Sequence, residues 1–360
     1  MKKINLKSSA KDKLITYLLV TVAFVIAQLM VSTGIASNKF SGLLVPICVN
    51  VLVAMALNLV VGISGELSLG HAGFMCIGAF VGSLFSITTQ GVLTQTWLRF
   101  PLALIIGGII AAIAGFLIGI PVLRLRGDYL AIVTLAFGEI IKNIFNNMYL
   151  AYDKNGLFFT LSSEKVASHE FDFATKVDLI KGAQGITGTP GDSQFWIGFV
   201  VIMIALFVLL NLVDSKTGRA IQASRDNRIA AEAMGINVTR SKMTAFVVSA
   251  FFAGVAGVLY SHNLHTLTAS KFDYNQSIMF LVFVVLGGMK SMRGSIIAAA
   301  ILYALPELLR ALADYRMILY AVVLIAMMIL NNNAKFIAFK EKCAPKNIIK
   351  AIKSKERSAK

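Results

Sequence analysis

The chain has 360 residues, of which 57% are hydrophobic and 14% charged, with a mean hydropathy of +0.76. Apolar runs of about eighteen residues or more recur, which excludes a water-soluble globular domain and points to a multi-pass membrane protein. The formal net charge of +16 would suit nucleic acid only if the basic residues did not sort with respect to the membrane, so they must first be placed against the spans.

Hydropathy predicts an all-α polytopic fold of ten spans, near 14–33, 43–61, 70–88, 101–121, 129–149, 195–213, 243–261, 276–289, 294–310 and 317–331. The membrane domain is then 14–331, flanked by an N-terminal tail, 1–13, and a basic C-terminal tail, 332–360. With the N-terminus inside, Lys and Arg number five in that tail, two at 122–128, six at 214–242, two at 290–293 and nine in the C-tail. Nine lie on the other side, so the charge is an orientation signal for cytoplasmic N- and C-termini and leaves no nucleic-acid partner. The lysines of the C-tail suit anionic lipid headgroups. The basic start followed by Leu14–Val31 is too long an apolar run for a cleaved signal and reads as an uncleaved anchor.

The second span runs into VVGISGELSLGHAGFMCIGAF, residues 60–80, where five glycines make a continuous helix doubtful. Ser64, Gly65, Ser68, Gly70 and His71 offer polar groups and bare backbone at membrane depth. They are read as a substrate path, with close helix packing as the alternative. Pro121 is expected to end the fourth span, and RLRGDYL after it reads as a cytoplasmic anchor turn. In span five Glu139 and Lys142 share a helical face, and Glu307 and Arg310 repeat the spacing in span nine; such intramembrane pairs are read as structural clamps, with a functional site as the alternative.

The outer segment, about 150–194, ends in the turn-rich GAQGITGTPGDS and is a plausible docking surface. The following island, 214–242, is the longest basic interior segment. Asp226 reads there as an N-cap and Gly235 as the left-handed C′ residue, which leaves one short helix, 227–234. Ile229, Ala230, Ala233 and Met234 fall on one face, with Arg228, Ala231 and Glu232 on the rest. Such a helix either seats in a partner's groove or is an ordinary solvated loop helix.

His262 and His265 lie three apart without acidic or cysteine neighbours and read as interfacial side chains. Cys48, Cys76 and Cys343 are scattered without metal or disulfide spacing, so no metal site is expected. No glycine-rich loop ends in Gly-Lys-Ser or Gly-Lys-Thr, so no ATP site or other cofactor is expected in this chain. A late apolar run breaks again at Gly287, Gly288 and Gly294. Two glycine-interrupted segments are what a repeat-built transporter shows around its binding site.

Four stretches together resemble the LivM-type permease of branched-chain amino acid ABC importers: GISGELSLGHAGF, RLRGDYLAIVTLAFGEIIKNIFNN, GRAIQASRDNRIAAEAMGINVTRSKMTAFVVSAFFAGVAGVLY, and VVLGGMKSMRGS with LPELLR. The resemblance covers about 45–330. It implies a ten-span fold of the ribose- and cobalamin-importer kind in a bacterial or archaeal inner membrane, with no chemistry of its own. It also implies a LivH-type second permease, two ABC ATPase subunits and an external amino-acid-binding protein. The family's ATPase-coupling segment falls on Asp226, Asn227, Arg228, Ala230, Ala231, Glu232, Ala233, Met234 and Gly235, joined here by Ile229 on the apolar face. Departures are Glu66 where a neutral Gln is usual, Lys290 for a usual Gly, and GITGTPG as an altered outer motif. They touch the substrate, for which leucine, isoleucine and valine are expected; urea or a short amide is the alternative within the class. A stand-alone secondary transporter or channel is the alternative outside it.

Overall fold

The computed structural model describes residues 6–33, 38–93, 95–125, 127–153, 156–161, 177–289 and 291–308, with single positions 318, 321, 322 and 325. The chain divides into two units, 1–301 and 302–360. The described part of the second is the end of one helix and those isolated positions, of which Ile318, Val322 and Ile325 are exposed.

The helices are α1 (Leu6–Ser32), α2 (Asn38–Asn58), α3 (His71–Thr89), α4 (Thr96–Val122), α5 (Asp128–Asn147) and α6 (Phe195–Asp214). They continue as α7 (Lys216–Asp226), α8 (Arg228–Ala233), α9 (Val238–Ser261), α10 (Tyr274–Gly287) and α11 (Met292–Leu308). Nine of the ten expected spans thus have a described helix. By length and apolarity alone six qualify: α1, α2 with its continuation, α3, α4, α6 and α9. α5 carries Asp128, Glu139 and Lys142, while α10 and α11 have 14 and 17 residues. The expected span 317–331 lies outside the described residues except at its isolated positions, and Arg310 also lies outside them.

Three expectations are corrected. Pro121 does not end α4, which runs on to Val122. The fold is not wholly helical, because the outer segment contains strands β1 (Tyr149–Asp153), β2 (Gly156–Thr160) and β3 (Val177–Lys181), and the stretch after them, read as turns, contains β4 (Ile186–Thr187). The sheet runs β2-β1-β3, all antiparallel, and β4 pairs with β5 (Thr266–Leu267). Aromatic and β-branched residues favour those strands, but segments this short leave little periodicity to read. His262, finally, is not interfacial: it is fully buried, donates from Nδ1 to the Val258 carbonyl at 2.9 Å and accepts the Ser86 hydroxyl on Nε2 at 2.7 Å.

The core is built around α9, which packs chiefly on α3 and α4. In lipid the apolar faces gain little by leaving their solvent, so close approach and dispersion must hold the helices together. Glycines supply the approach: a Cβ at Gly78 would run into the backbone of Gly254, and α3 and α9 touch there. Phe74, Phe137, Phe246 and Leu130 fill the space beyond, with Phe74 meeting Phe246 edge-on at 5.5 Å. Cys48 and Cys76 are buried free thiols in this packing. By contrast α1 leaves Leu14, Leu18, Val22, Ile26 and Leu29 exposed, as a lipid-facing helix does.

Candidate functional site: the helix break and the interior elbow

The doubtful helix at 60–80 is broken. α2 continues as a π turn, Leu59–Ser64, and Gly65 ends it with φ +75, a left-handed conformation that costs glycine little. Residues 65–70 are then irregular until α3 begins at His71. A break inside a bundle leaves backbone groups without partners, and these must be satisfied by side chains. Here each partner comes from a different helix. Ser249 on α9 donates to the Ala56 carbonyl at 2.5 Å. The Thr134 hydroxyl on α5 accepts from the Leu69 N–H at 3.0 Å, and Ser277 on α10 accepts from the Ala72 N–H at 3.2 Å. From α7, Arg225 Nη1 donates to the carbonyls of Gly62 at 3.0 Å and Ile63 at 3.4 Å.

The five expected path residues separate into two groups. Ser68, Gly70 and His71 are buried in the packed protein and line none of the described cavities. His71 Nε2 lies 2.7 Å from Ser249 Oγ. Since the single Ser249 proton goes to Ala56, His71 must donate from Nε2, which leaves Nδ1 to accept from Ser68 Oγ at 3.4 Å. This is a satisfied structural network. A Cβ at Gly70 would meet the Thr134 carbonyl at 2.5 Å, so that glycine serves close approach. Ser64 and Gly65 instead border a polar cavity of about 550 Å³, together with Glu66, Asp128, Arg225, Asn227 and Lys242. The Ser64 hydroxyl is buried without a partner.

That cavity joins the break to the basic island, 214–242, which holds two helices rather than one. α7, missed in the sequence, starts where Ser215 Oγ accepts the Gly218 N–H at 3.1 Å; Ser215 before a polar stretch was its visible signal. Asn227 is a one-residue extended elbow, φ −153, between α7 and α8. It, and not Asp226, is the N-cap of α8: its Oδ1 accepts the Ala230 N–H at 3.0 Å. Asp226 is the last residue of α7, and its carboxylate is taken by Arg225. Gly235 does have the expected left-handed conformation, φ +80, and Ile236 N–H reaches back to Ala231 O at 3.0 Å to close the helix.

The expected apolar face of α8 is turned outward. Ile229 and Met234 are 80% and 82% exposed, and Ala230 and Ala233 are exposed beside them, whereas Ala231 is buried against the body. Arg228 and Glu232 pair along the side at 2.8 Å. The acidic departure Glu66 forms an ion pair with Lys242 at the base of α9, both side chains mostly buried. Sequence reasoning gave neither Lys242 nor Arg225 a role. An acid inside a glycine-rich break was the one signal that a cation must come to it.

Glu139 and Lys142 form the expected ion pair on α5, and Glu139 Oε1 also accepts the Tyr274 N–H at 3.0 Å, which ties α5 to the start of α10. At that same end Arg99 Nη2 bonds Asp192 Oδ2 at 2.6 Å with both side chains nearly buried, a pair the sequence did not suggest. Among the described residues no cluster of His, Cys, Asp and Glu could hold a metal ion.

Residues 39–330 match the family described as the permease component of branched-chain amino acid transport systems. The high-affinity branched-chain amino acid transport system permease protein LivM of Salmonella typhimurium is 35% identical over 332 residues, 89% of this chain and 74% of that protein. LivM of Escherichia coli gives the same figures. The ribose import permease protein RbsC of Haemophilus influenzae is 28% identical over 170 residues, 44% of this chain and 51% of that protein. No solved structure matches the chain.

Proposed function

This chain belongs to the family of permease components of branched-chain amino acid transport systems, and on that premise we propose how it does its work. It is a non-enzymatic membrane subunit of an ABC importer for branched-chain amino acids. We read the break-and-elbow end as cytoplasmic, with both termini inside, and the 150–194 segment as external. The bundle then has ten spans of the ribose- and cobalamin-importer kind, residues 14–331, between tails 1–13 and 332–360. It pairs with a LivH-type permease, two ATPase subunits and an external amino-acid-binding protein. α8 is the ATPase contact, and Ser64 and Gly65 border the inner mouth of the substrate path.

One observation carries this reading: α8 is capped at both ends and anchored through Ala231, yet presents Ile229, Ala230, Ala233 and Met234 to the outside. A helix of six residues is marginal alone in water, so an ordered apolar face on it suits a partner's groove. Ala233→Asp places a carboxylate in that groove at a cost of a few kcal/mol. In vesicles holding all subunits it loses ATPase association and leucine uptake while the two permeases stay paired. Normal ATPase co-purification and uptake would show α8 to be a solvated loop helix.

A further inference from the structure

The π turn leaves the carbonyls at its end without helical donors, because the Gly65 and Glu66 N–H groups both reach back to Val60. Arg225 fills two of those places from outside the helix. Its guanidinium is divided: Nη1 donates to Gly62 and Ile63, while Nε and Nη2 donate to Asp226 Oδ1 at 3.0 and 2.8 Å. One planar group therefore grips the broken helix on one edge and the elbow on the other, which a lysine's point charge cannot do. The side chain also lies flat beneath the break, since a Cβ on Gly65 would stand 2.5 Å from Arg225 Cγ. The Glu66–Lys242 pair fastens the next residue of the break to the base of α9.

We propose that Arg225 is the positioning residue that makes the α7–α8 elbow and the 59–65 break move as one piece, so that displacement of α8 is delivered to the inner mouth of the path. This rests on α8 being the ATPase contact. The stiffness of the parts supports it: α7 and α8 are joined by the single residue Asn227, whose side chain is fixed as a cap, so α8 has little freedom to swing without α7. Of the two arginines on α7, Arg219 donates to the Asp214 carbonyl, while Arg225, placed one residue before Asp226, reaches the break.

The test is Arg225→Met, which keeps the apolar stem under Gly65 and removes every donor, in the complete importer reconstituted with its ATPase subunits and binding protein. ATPase association and basal hydrolysis persist, whereas stimulation by loaded binding protein and leucine uptake fall by roughly tenfold or more, the scale of ordinary coupling between sites. Arg225→Lys, with one donor group for two jobs, recovers part of the uptake. Spin labels at Thr217 and Leu67, both exposed, report one separation in nucleotide-free and ATP-bound states of the native complex and two in Arg225→Met. Full uptake, or an unchanged label separation in Arg225→Met, overturns the proposal. Loss of ATPase association in Arg225→Met also overturns it, since the residue would then only stabilise the elbow. Retained association in Ala233→Asp is a different failure: it removes the contact at α8 on which the coupling depends.

Discussion

The two ends of the bundle handle charge and apolar surface in opposite ways. At the end that carries Arg99, the ion pair with Asp192 is closed and mostly buried at the edge of an apolar cavity of about 660 Å³, His262 accepts from Ser86, and a small sheet lies nearby. At the end that carries the elbow, Arg225 and Lys242 are spent on a helix break, a polar cavity remains open, and α8 turns its apolar face away from the body. The first end pairs its buried charges within the chain, and the second leaves an ordered apolar face uncovered. Substitutions at the closed end are therefore expected to act on stability, and those at the open end on transport.

The largest effect belongs to Arg99→Ala. It strands Asp192, whose side chain is only 12% exposed, and breaking such a buried pair costs about 3–5 kcal/mol. Membrane abundance and the melting temperature in detergent fall together, and Arg99→Ala with Asp192→Ala recovers most of the loss. An Arg99→Ala protein that melts normally would erase the contrast between the ends.

Glu139→Ala comes next, because it removes the acceptor of both Lys142 and the Tyr274 N–H; bonds to a charged group contribute about 1.5–3 kcal/mol, and the pair's partial exposure places it at the lower end. Glu139→Gln retains an acceptor for the Tyr274 amide and melts between the native protein and Glu139→Ala. Equal melting of the two variants would show that the amide bond contributes nothing. The double change Glu139→Ala with Lys142→Ala is a weaker test of a clamp than the helical spacing suggests, since the Tyr274 amide loses its acceptor in it as well.

At the open end Gly65→Leu forces a branched side chain into a left-handed conformation, at a cost of about 1–2 kcal/mol, and into the stem of Arg225. The protein stays in the membrane and its melting shifts less than that of Arg99→Ala, yet uptake is abolished. A large stability loss with proportionate loss of uptake would instead place the break among the packing elements. The smallest effect is Asn227→Ala, which removes the cap of α8 for about 1 kcal/mol. Hydrogen exchange over 228–234 rises, melting is unchanged, and uptake declines modestly; unchanged exchange would mean that the cap does not hold α8.

Much of this was legible beforehand because it depends on neighbours in sequence. Apolar runs set nine helix positions among the described residues, glycine density marked both breaks, and Gly235 could be read as a helix end from its own conformational freedom. At the second, α10 ends at Gly287 and Gly288 has φ +92, without the π turn that closes the first. The spacing of Glu139 and Lys142 was enough to pair them, because i and i+3 meet on any helix.

What local pattern could not decide was which polar group answers which. His71 and Ser68 suited a path or close packing from their chemistry, and Ser249, 178 residues from His71, joins them in a buried hydrogen-bond network. Asp226 and Asn227 are both competent caps side by side, and sequence alone favours neither strongly. The choice falls to Asn227 because Arg225, held in place by two carbonyls more than 160 residues away, has already taken the Asp226 carboxylate. Helix, break and cap residue types were fixed by short-range sterics and hydrophobicity. Their partners were chosen only when the fold brought unsatisfied donors and acceptors together where water could not reach them.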